Sequence, residues 1–168
     1  MNVPTPEYIK DLRQDIGHKE LLLPAVTAVV LRRDDDAGIP LPVPQVLLVK
    51  RSDDGRWGAT AGILEPGEEP GAAAVREVAE ETRVQARPVR VTGVSDHGQV
   101  VYPNGDICRF LDIAFELEYV SGQPQPGDDE ATAAGWFPVD DLPEPFVKQH
   151  RERIRWALET GAPARFRQ

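Results

Sequence analysis

Hydrophobic positions in this chain follow two periods, and the change between them divides the sequence into predicted strands and helices. Residues 21–33 and 46–51 are apolar and rich in β-branched side chains, a pattern typical of mostly buried strands. Residues 88–102 and 106–119 are two longer extended stretches, and the Asn-Gly pair between them is a strong hairpin signal. We therefore expect these two stretches to pair as antiparallel strands.

The segments between the strands carry residues that interrupt regular structure. The link 34–44 is rich in proline and contains glycine, so it is predicted not to continue a strand. The path from Trp57 to Gly62 is predicted to be a loop. A second Gly/Pro loop at 121–127 precedes an acidic stretch, and residues 136–137 are predicted to form a short core strand.

Apolar residues at helical spacing predict a helix at each end of the chain. In the first, within residues 1–18, Thr5 is the expected cap and Gly17 the expected end. This amphipathic helix is predicted to pack on the domain or on a second subunit. The last helix is predicted over residues 143–160 and stops at Gly161.

The third predicted helix, residues 69–82, contains four alanines and no β-branched run. Pro70 lies in its first turn, where proline is tolerated. At about 100° per residue the helix separates an apolar face from an acidic one. The apolar face carries Val75, Val78, Ala79 and Thr82, and the opposite face carries Glu77, Glu80 and Glu81.

The acidic face of this helix indicates a binding site for a cation. Carboxylates at neighbouring helical positions repel each other by about 0.2–0.5 kcal/mol per pair unless a cation compensates them, and only Arg76 and Arg83 are local partners. A hard ion such as Mg²⁺ binds oxygen ligands and is commonly held by a few carboxylates together with the phosphates of a substrate. A solvated acidic helix without function is the alternative.

The residues around this helix resemble the signature of the Nudix hydrolases, which is a glycine, five residues, a glutamate, seven residues, and then Arg-Glu-aliphatic-x-Glu-Glu-x-Gly-aliphatic. Arg83 replaces the glycine that closes the helix, which implies strain of about 1 kcal/mol or a different helix end. Thr60 and Ala61 replace the proline and first glycine of a Pro-Gly-Gly element that family members often have just before the helix. The matching residues are Gly62, Glu68, Arg76, Glu77, Val78, Glu80, Glu81 and Val84.

This resemblance implies an α/β fold, namely the Nudix-type α/β/α sandwich with a mixed sheet, in a single domain over residues 1–168 with the signature at 62–84. It also implies a metal-dependent pyrophosphohydrolase that cleaves the diphosphate linkage of a nucleoside diphosphate joined to another moiety. The implied cofactor is Mg²⁺, with Mn²⁺ as an alternative, and the implied partner is that small nucleotide derivative.

The resemblance further implies which residues hold the metal. Glu77 and Glu81 are the expected ligands, and Glu80 is expected to be a ligand or the general base. Glu68 is expected to support these ligands or to bind a further metal ion. Gly62 belongs to the loop whose backbone often contributes to the metal site in this family.

Residues outside the carboxylate helix complete the expected site. Glu130 is the candidate for an additional acidic ligand or base, with a solvated loop acid as the alternative. Arg76 is expected to orient a neighbouring carboxylate. Tyr102 and Arg109 flank the predicted hairpin turn and could hold a base or a phosphate, although a cross-strand packing pair explains them equally well. Arg51 is the third residue expected to bind substrate.

Composition and charge limit the partners. A formal net charge of -9 argues against a nucleic acid polymer or an anionic membrane as partner. The lone Cys108 is predicted to be a buried small hydrophobe, and no signal peptide or membrane-spanning apolar run is present, so a cytoplasmic protein is expected. His18, His97 and His150 lack companions at metal-ligand spacing and are predicted to be structural.

Two other functions remain open from the sequence. A non-catalytic nucleotide-binding or regulatory module would be compatible with Arg83 and the altered loop, whereas the retained carboxylates argue against it. A prenyl diphosphate isomerase on the same fold is disfavoured because Cys108 lies well past the helix. A homodimer through the N-terminal helix is a further expectation.

Overall fold

The structure of the protein is a computed structural model in which residues 6–166 are described, and within that range the chain forms three helices and eight strands. The helices are α1 (Glu7–Ile16), α2 (Pro70–Thr82) and α3 (Lys148–Leu158). The strands are β1 (Leu21–Asp34), β2 (Pro40–Arg51), β3 (Trp57–Gly58), β4 (Thr60–Ile63), β5 (Gln85–Val101), β6 (Ile107–Ser121), β7 (Ala131–Pro138) and β8 (Arg165–Phe166).

The strands form one mixed sheet in the order β3-β2-β1-β6-β5-β8, with β4 also paired to β1 and β7 to β2. β1 and β6 run parallel over eleven paired positions, and β5 and β8 are also parallel, whereas the other pairs are antiparallel. The predicted hairpin is confirmed, since β5 and β6 pair antiparallel from Gln85 opposite Ser121 to Val101 opposite Ile107.

Alternate residues of β1 enter two hydrophobic cores on opposite faces of the sheet, as the two-residue period of a strand requires. Val26, Ala28 and Val30 belong to the core that α2 covers. Val29 and Leu31 belong to the core that α3 covers. The sheet is therefore buried on both faces between helices, and the predicted α/β/α sandwich is confirmed.

The N-terminal helix packs against one end of this sandwich. Ile9 is buried in a third cluster with Leu23 and Cys108, and the Tyr8 hydroxyl donates a hydrogen bond to the Leu64 carbonyl at 3.0 Å. The burial of Cys108 confirms its prediction as a small buried hydrophobe. The predicted cap Thr5 lies outside the described residues, and no helix within them is long and apolar enough to cross a membrane.

Two predicted boundaries are wrong. β2 begins at Pro40, inside the link predicted not to continue a strand. Prolines occupy alternate positions at the start of β2, so their nitrogens, which lack hydrogens, all face the same edge of the strand. The neighbouring strand on that edge, β7, ends at Pro138, so the missing hydrogens cost no ladder hydrogen bonds. The last helix begins at Lys148 instead of residue 143, because Phe146 packs in the core that α3 covers and the buried Val147 that follows it is extended.

Candidate active site

The acidic helix α2 forms where its sequence predicts, with Glu69 as the capping position, Pro70 in the first turn and its end at Thr82. The burial of its glutamate side chains differs from the burial that the helical projection predicts. Glu81 is buried, with 6% of its surface exposed, whereas the Glu80 side chain is 54% exposed. The expectation that all three glutamates face away from the core is therefore wrong for Glu81, because β4 packs along that side of the helix.

Gly62 allows this close contact between β4 and the helix. It lies in a strand, not in the predicted loop, and pairs with Val26 of β1. A Cβ atom at position 62 would lie 1.9 Å from Oε1 of Glu77. Only glycine therefore lets the Glu77 carboxylate occupy its present place, which explains in physical terms why this position of the motif is a glycine.

Arg76 binds three carboxylates on this side of the helix. Its Nε donates to Glu68 at 2.8 Å, and one terminal nitrogen donates to Glu77 at 2.8 Å and to Glu80 at 3.0 Å. The hydrogen bond from Arg76 lowers the pKa of Glu68 despite some desolvation. Burial raises the pKa of Glu77, and the positive charge of Arg76 only partly offsets this effect. Arg76 therefore fixes the orientation of its neighbours.

Glu81 has no ion pair within residues 6–166. Its carboxylate accepts a hydrogen bond from the Ala61 amide at 3.3 Å, and Arg51 lies close enough to interact with it electrostatically. Burial, followed by the charges of Glu77 and Glu130, raises the pKa of Glu81 well above its ordinary value. A buried carboxylate without compensation is costly, so this group favours either a proton or a bound cation.

Glu130 faces the same region from the other side. It directly precedes β7 and follows the loop 122–127, whose Gly127 amide donates to the Glu81 carbonyl at 3.0 Å. Burial, then the charges of Asp128 and Glu77, raises the pKa of Glu130 to about 7 against the opposing charge of Arg51. The structure thus brings Glu130 to the carboxylates of α2 across about fifty residues of sequence.

These groups line one cavity of about 810 Å³ between α2, β4, the hairpin and the start of α3. Arg51 and Tyr102 also line this cavity, whereas Glu68 and Arg109 do not. Arg51 donates to Asp53 at 3.0 Å. Arg109 forms ion pairs with Glu20 and Asp96 on the surface, so the structure does not bring it together with Tyr102 at the site.

The far wall of the cavity contains polar residues that sequence reasoning missed. His97, Asp112 and His150 line it, and Thr27 donates to Asp112 at 2.7 Å. Burial lowers the pKa of His150 to about 3, so this imidazole is neutral at physiological pH. No spacing rule could identify these residues, because they come from β5, β6 and α3. His18, by contrast, bonds Asp106 near the hairpin turn.

The donor set of the cavity fits a hard divalent cation. Glu77, Glu80, Glu81 and Glu130 supply oxygen donors only, and Glu81 is buried without an ion pair among residues 6–166. No three acidic, imidazole or thiol side chains among residues 6–166 already converge in a metal-binding geometry. Two of the glutamates are turned toward Arg76. Each of these hydrogen bonds uses one carboxylate oxygen, Oε1 of Glu77 and Oε2 of Glu80, and leaves the second oxygen for a cation.

Comparison with known sequences gives a consistent result. A family model described as NUDIX domain matches residues 21–157. The chain is 31% identical over 135 residues to the NAD-capped RNA hydrolase NudC of Pseudomonas syringae, covering 70% of this chain and 45% of that protein. It is 28% identical to a MutT-like protein of Streptomyces ambofaciens, and the match covers 83% of this chain and 79% of that protein. It is 32% identical to the 8-oxo-dGDP phosphatase NUDT18 of Mus musculus, and the match covers 72% of this chain and 34% of that protein.

The chain thus spans less than half the length of the NudC and NUDT18 relatives. Among solved structures, a MutT NUDIX hydrolase from Burkholderia pseudomallei superposes with a TM-score of 0.63 and 25% identity, covering 81% of this chain and 98% of that one. The NUDIX domain of Shewanella oneidensis NrtR, complexed with ADP ribose, gives a TM-score of 0.62 and 20% identity, covering 92% and 98%. The second likeness concerns the fold alone.

Proposed function

Because the chain belongs to the Nudix hydrolase family, we propose that it is a metal-dependent pyrophosphohydrolase acting on a nucleoside diphosphate joined to another moiety. Nudix hydrolases generally cleave phosphoanhydride bonds. The observation that carries the proposal is the buried Glu81 carboxylate, which has no ion pair within residues 6–166, in the wall of a cavity that Glu77, Glu130 and Arg51 also line. A site for catalysis on phosphates needs this combination of oxygen donors and a cationic side chain.

In this proposal the carboxylates of α2 hold Mg²⁺, or alternatively Mn²⁺, through Glu77, Glu80 and Glu81. When bound, the cation neutralises charge on the phosphoryl oxygens and makes a bound water more acidic. Glu130 accepts the proton of the attacking water, and Glu80 is the other candidate base. Arg51 contacts a phosphate once the phosphate displaces Asp53, and Arg76 keeps Glu77 in position through its hydrogen bond.

The substrate class is supported by the size and lining of the cavity. A volume of about 810 Å³ accommodates a substrate larger than a mononucleotide. Tyr102 lines the wall and supplies a flat aromatic surface, and the neutral His150 supplies a hydrogen-bonding group. We also retain a cytoplasmic location and a homodimer as proposals.

The experiment that tests the function is a hydrolysis screen with Mg²⁺, with Mn²⁺ and with chelator. The panel contains nucleotide sugars, ADP-ribose, dinucleoside polyphosphates and noncanonical nucleoside triphosphates, and release of phosphorylated product is measured. Metal-dependent turnover of a nucleoside diphosphate derivative supports the proposal. Absence of turnover for all compounds, combined with a ligand-induced rise in Tm, supports the alternative of a non-catalytic nucleotide-binding module.

Gly62→Ala is expected to lower kcat/KM by about 10–100-fold, the usual effect of disturbing a group that positions a metal ligand. The added methyl group would overlap the Glu77 carboxylate, whose flexible side chain must move away. The matched control is Gly71→Ala, because a Cβ atom there meets only Pro88 at 4.0 Å. Steady-state kinetics of both variants check this, and equal activity in the two would contradict the assigned role.

The acidic limb of the pH profile is expected to reflect Glu130. Its raised pKa of about 7 means that the carboxylate loses its basic form as the pH falls through neutrality. The logarithm of kcat/KM should therefore decrease below about pH 7, with any bound cation shifting the limb to lower pH. Glu130→Gln should remove the limb together with most of the activity. An unchanged profile in that variant would assign the limb to another group.

A further inference from the structure

Arg83 has an unusual backbone conformation at the end of the acidic helix. It is the one non-glycine residue with a positive φ among residues 6–166, at φ 61° and ψ 11°. Side chains with a Cβ atom rarely adopt this left-handed region, so the local conformation is strained. Such strain persists where surrounding contacts impose it, and it often occurs at functional sites. Contacts around Arg83 therefore hold it in this conformation.

The side chain of Arg83 reaches the loop that leads to Glu130. Its guanidinium donates a hydrogen bond to the Gly127 carbonyl. On the other side of the same residue, the Gly127 amide donates to the Glu81 carbonyl at 3.0 Å. Gly127 is thus bound on both its donor and acceptor groups by the C-terminal end of α2. The Gln125 amide adds a bond to the Thr82 carbonyl at 3.1 Å.

The loop also lies very close to the helix end. A Cβ atom at Gly127 would be 1.7 Å from the Glu80 carbonyl oxygen, and one at Gly122 would be 2.7 Å from the Arg83 carbonyl oxygen. Both contacts involve backbone atoms, which cannot easily move aside. Glycine at these two positions therefore allows the loop 122–127 to pack directly against the end of α2, and the Arg83 side chain binds the end of the loop nearest to Glu130.

We propose that Arg83 is a positioning residue that fixes the loop 122–127 on the end of α2 and thereby places Glu130 in the active site. Glu130 lies three residues after Gly127, and its carbonyl accepts a hydrogen bond from the Ser52 amide at 2.8 Å. The segment from Gly127 to Glu130 is thus anchored at both ends. A glycine at position 83 would relieve the strain but would lack the guanidinium. This inference rests on the proposed function, because it assigns Glu130 to the reaction.

Direct binding of substrate is the competing role for Arg83, since this residue also lines the cavity. The two roles differ in kinetics. Loss of a positioning residue misplaces Glu130 and lowers kcat with little change in KM, whereas loss of a substrate contact that acts equally in the ground and transition states raises KM.

Arg83→Gly is the variant that separates these roles, because glycine accepts the backbone conformation. We expect Tm to stay equal or to rise, kcat to fall by about tenfold or more, and KM to remain within about twofold. Guanidinium chloride, at a concentration too low to unfold the protein, should restore part of kcat. Arg87→Ala is the control, since Arg87 is an exposed arginine whose partner is Glu118 on the adjacent strand, and it should retain wild-type kinetics.

Hydrogen exchange provides a readout that does not depend on turnover. The amides of Gly127 and Gln125 should exchange about tenfold faster in Arg83→Gly than in the wild type, and at the wild-type rate in Arg87→Ala. Unchanged protection of both amides, or a rise in KM alone, overturns the positioning role. If the wild-type protein hydrolyses nothing, the exchange experiment still tests the anchoring of the loop, so failure of the proposed function is distinguishable from failure of this inference.

Discussion

Glu81→Gln is expected to abolish hydrolysis while making the metal-free protein more stable. The glutamine lacks the negative charge that would hold a cation, so kcat/KM should fall on the order of 10³-fold, the scale seen when a preorganised electrostatic group is removed. Glutamine has nearly the same shape as glutamate and keeps an oxygen that accepts the Ala61 amide hydrogen. The fold should therefore remain intact.

The gain in stability follows from the direction of the pKa shift. Burial raises the pKa of Glu81 above its value in the unfolded chain, so the folded state binds the proton more tightly. Stability from this group is complete below the unfolded pKa and is lost as the pH rises toward the folded pKa. Glutamine does not ionise, and the variant should gain about 1–3 kcal/mol in unfolding free energy at alkaline pH, the cost of an uncompensated buried polar group.

The matched control for stability is Glu80→Gln. Glu80 is the adjacent residue on the same helix, and its side chain is 54% exposed, so removing its charge should change the unfolding free energy by less than about 0.5 kcal/mol. Denaturant unfolding at pH 5 and pH 8 with chelator measures the unfolding free energy of each variant relative to the wild type. For Glu81→Gln this gain should be larger at pH 8 than at pH 5, and for Glu80→Gln it should be small at both. Wild-type turnover in Glu81→Gln at saturating Mg²⁺ would refute the assignment of this carboxylate.

The parts of the fold that sequence predicted well are those fixed by local interactions. α2 could be predicted because alanine propensity, a first-turn proline and the period of apolar residues agree. The hairpin of β5 and β6 could be predicted because its turn chemistry is local. The start of β2 at Pro40 was missed because the tolerance of prolines in a strand depends on where the neighbouring strand β7 ends, which is a tertiary property.

The site shows the same division between local and tertiary information. The motif identifies the glutamates of α2, but their different burial depends on how β4 packs, through Gly62, against one side of the helix. His150 was predicted to be structural because it lacks companions at metal-ligand spacing, and only the folded chain brings it into the cavity wall. Arg109 flanks the hairpin turn in sequence, yet Glu20 and Asp96 bind its guanidinium elsewhere on the surface.

Arg153→Ala is expected to be the most destabilising single substitution considered for this protein, at about 3–5 kcal/mol. Arg153 is 1% exposed, and its Nε donates to Asp112 at 2.9 Å. Its other nitrogens donate to Ser95 and Glu152, and the guanidinium lies 4.7 Å from the Trp156 ring. Alanine would leave Asp112 as a buried anion without its principal cation, in addition to creating a cavity.

The size of this effect depends on burial, and a comparison with an exposed pair tests that explanation. Arg87→Ala removes an ion pair whose side chains are 70% and 51% exposed, so this variant should lose only about 0–1 kcal/mol of unfolding free energy. Burial alone would raise the pKa of Asp112, but the adjacent His97, whose Nε2 lies 3.6 Å from the carboxylate, the hydrogen bond from Thr27 and the charge of Arg153 lower this pKa. The stabilisation from Asp112 is therefore present above its unfolded pKa and is lost as the pH falls through its folded pKa. In urea unfolding, the difference in unfolding free energy between Arg153→Ala and the wild type should therefore become smaller at acidic pH. Equal losses of unfolding free energy in Arg153→Ala and Arg87→Ala would contradict the buried ion pair as the origin of the effect.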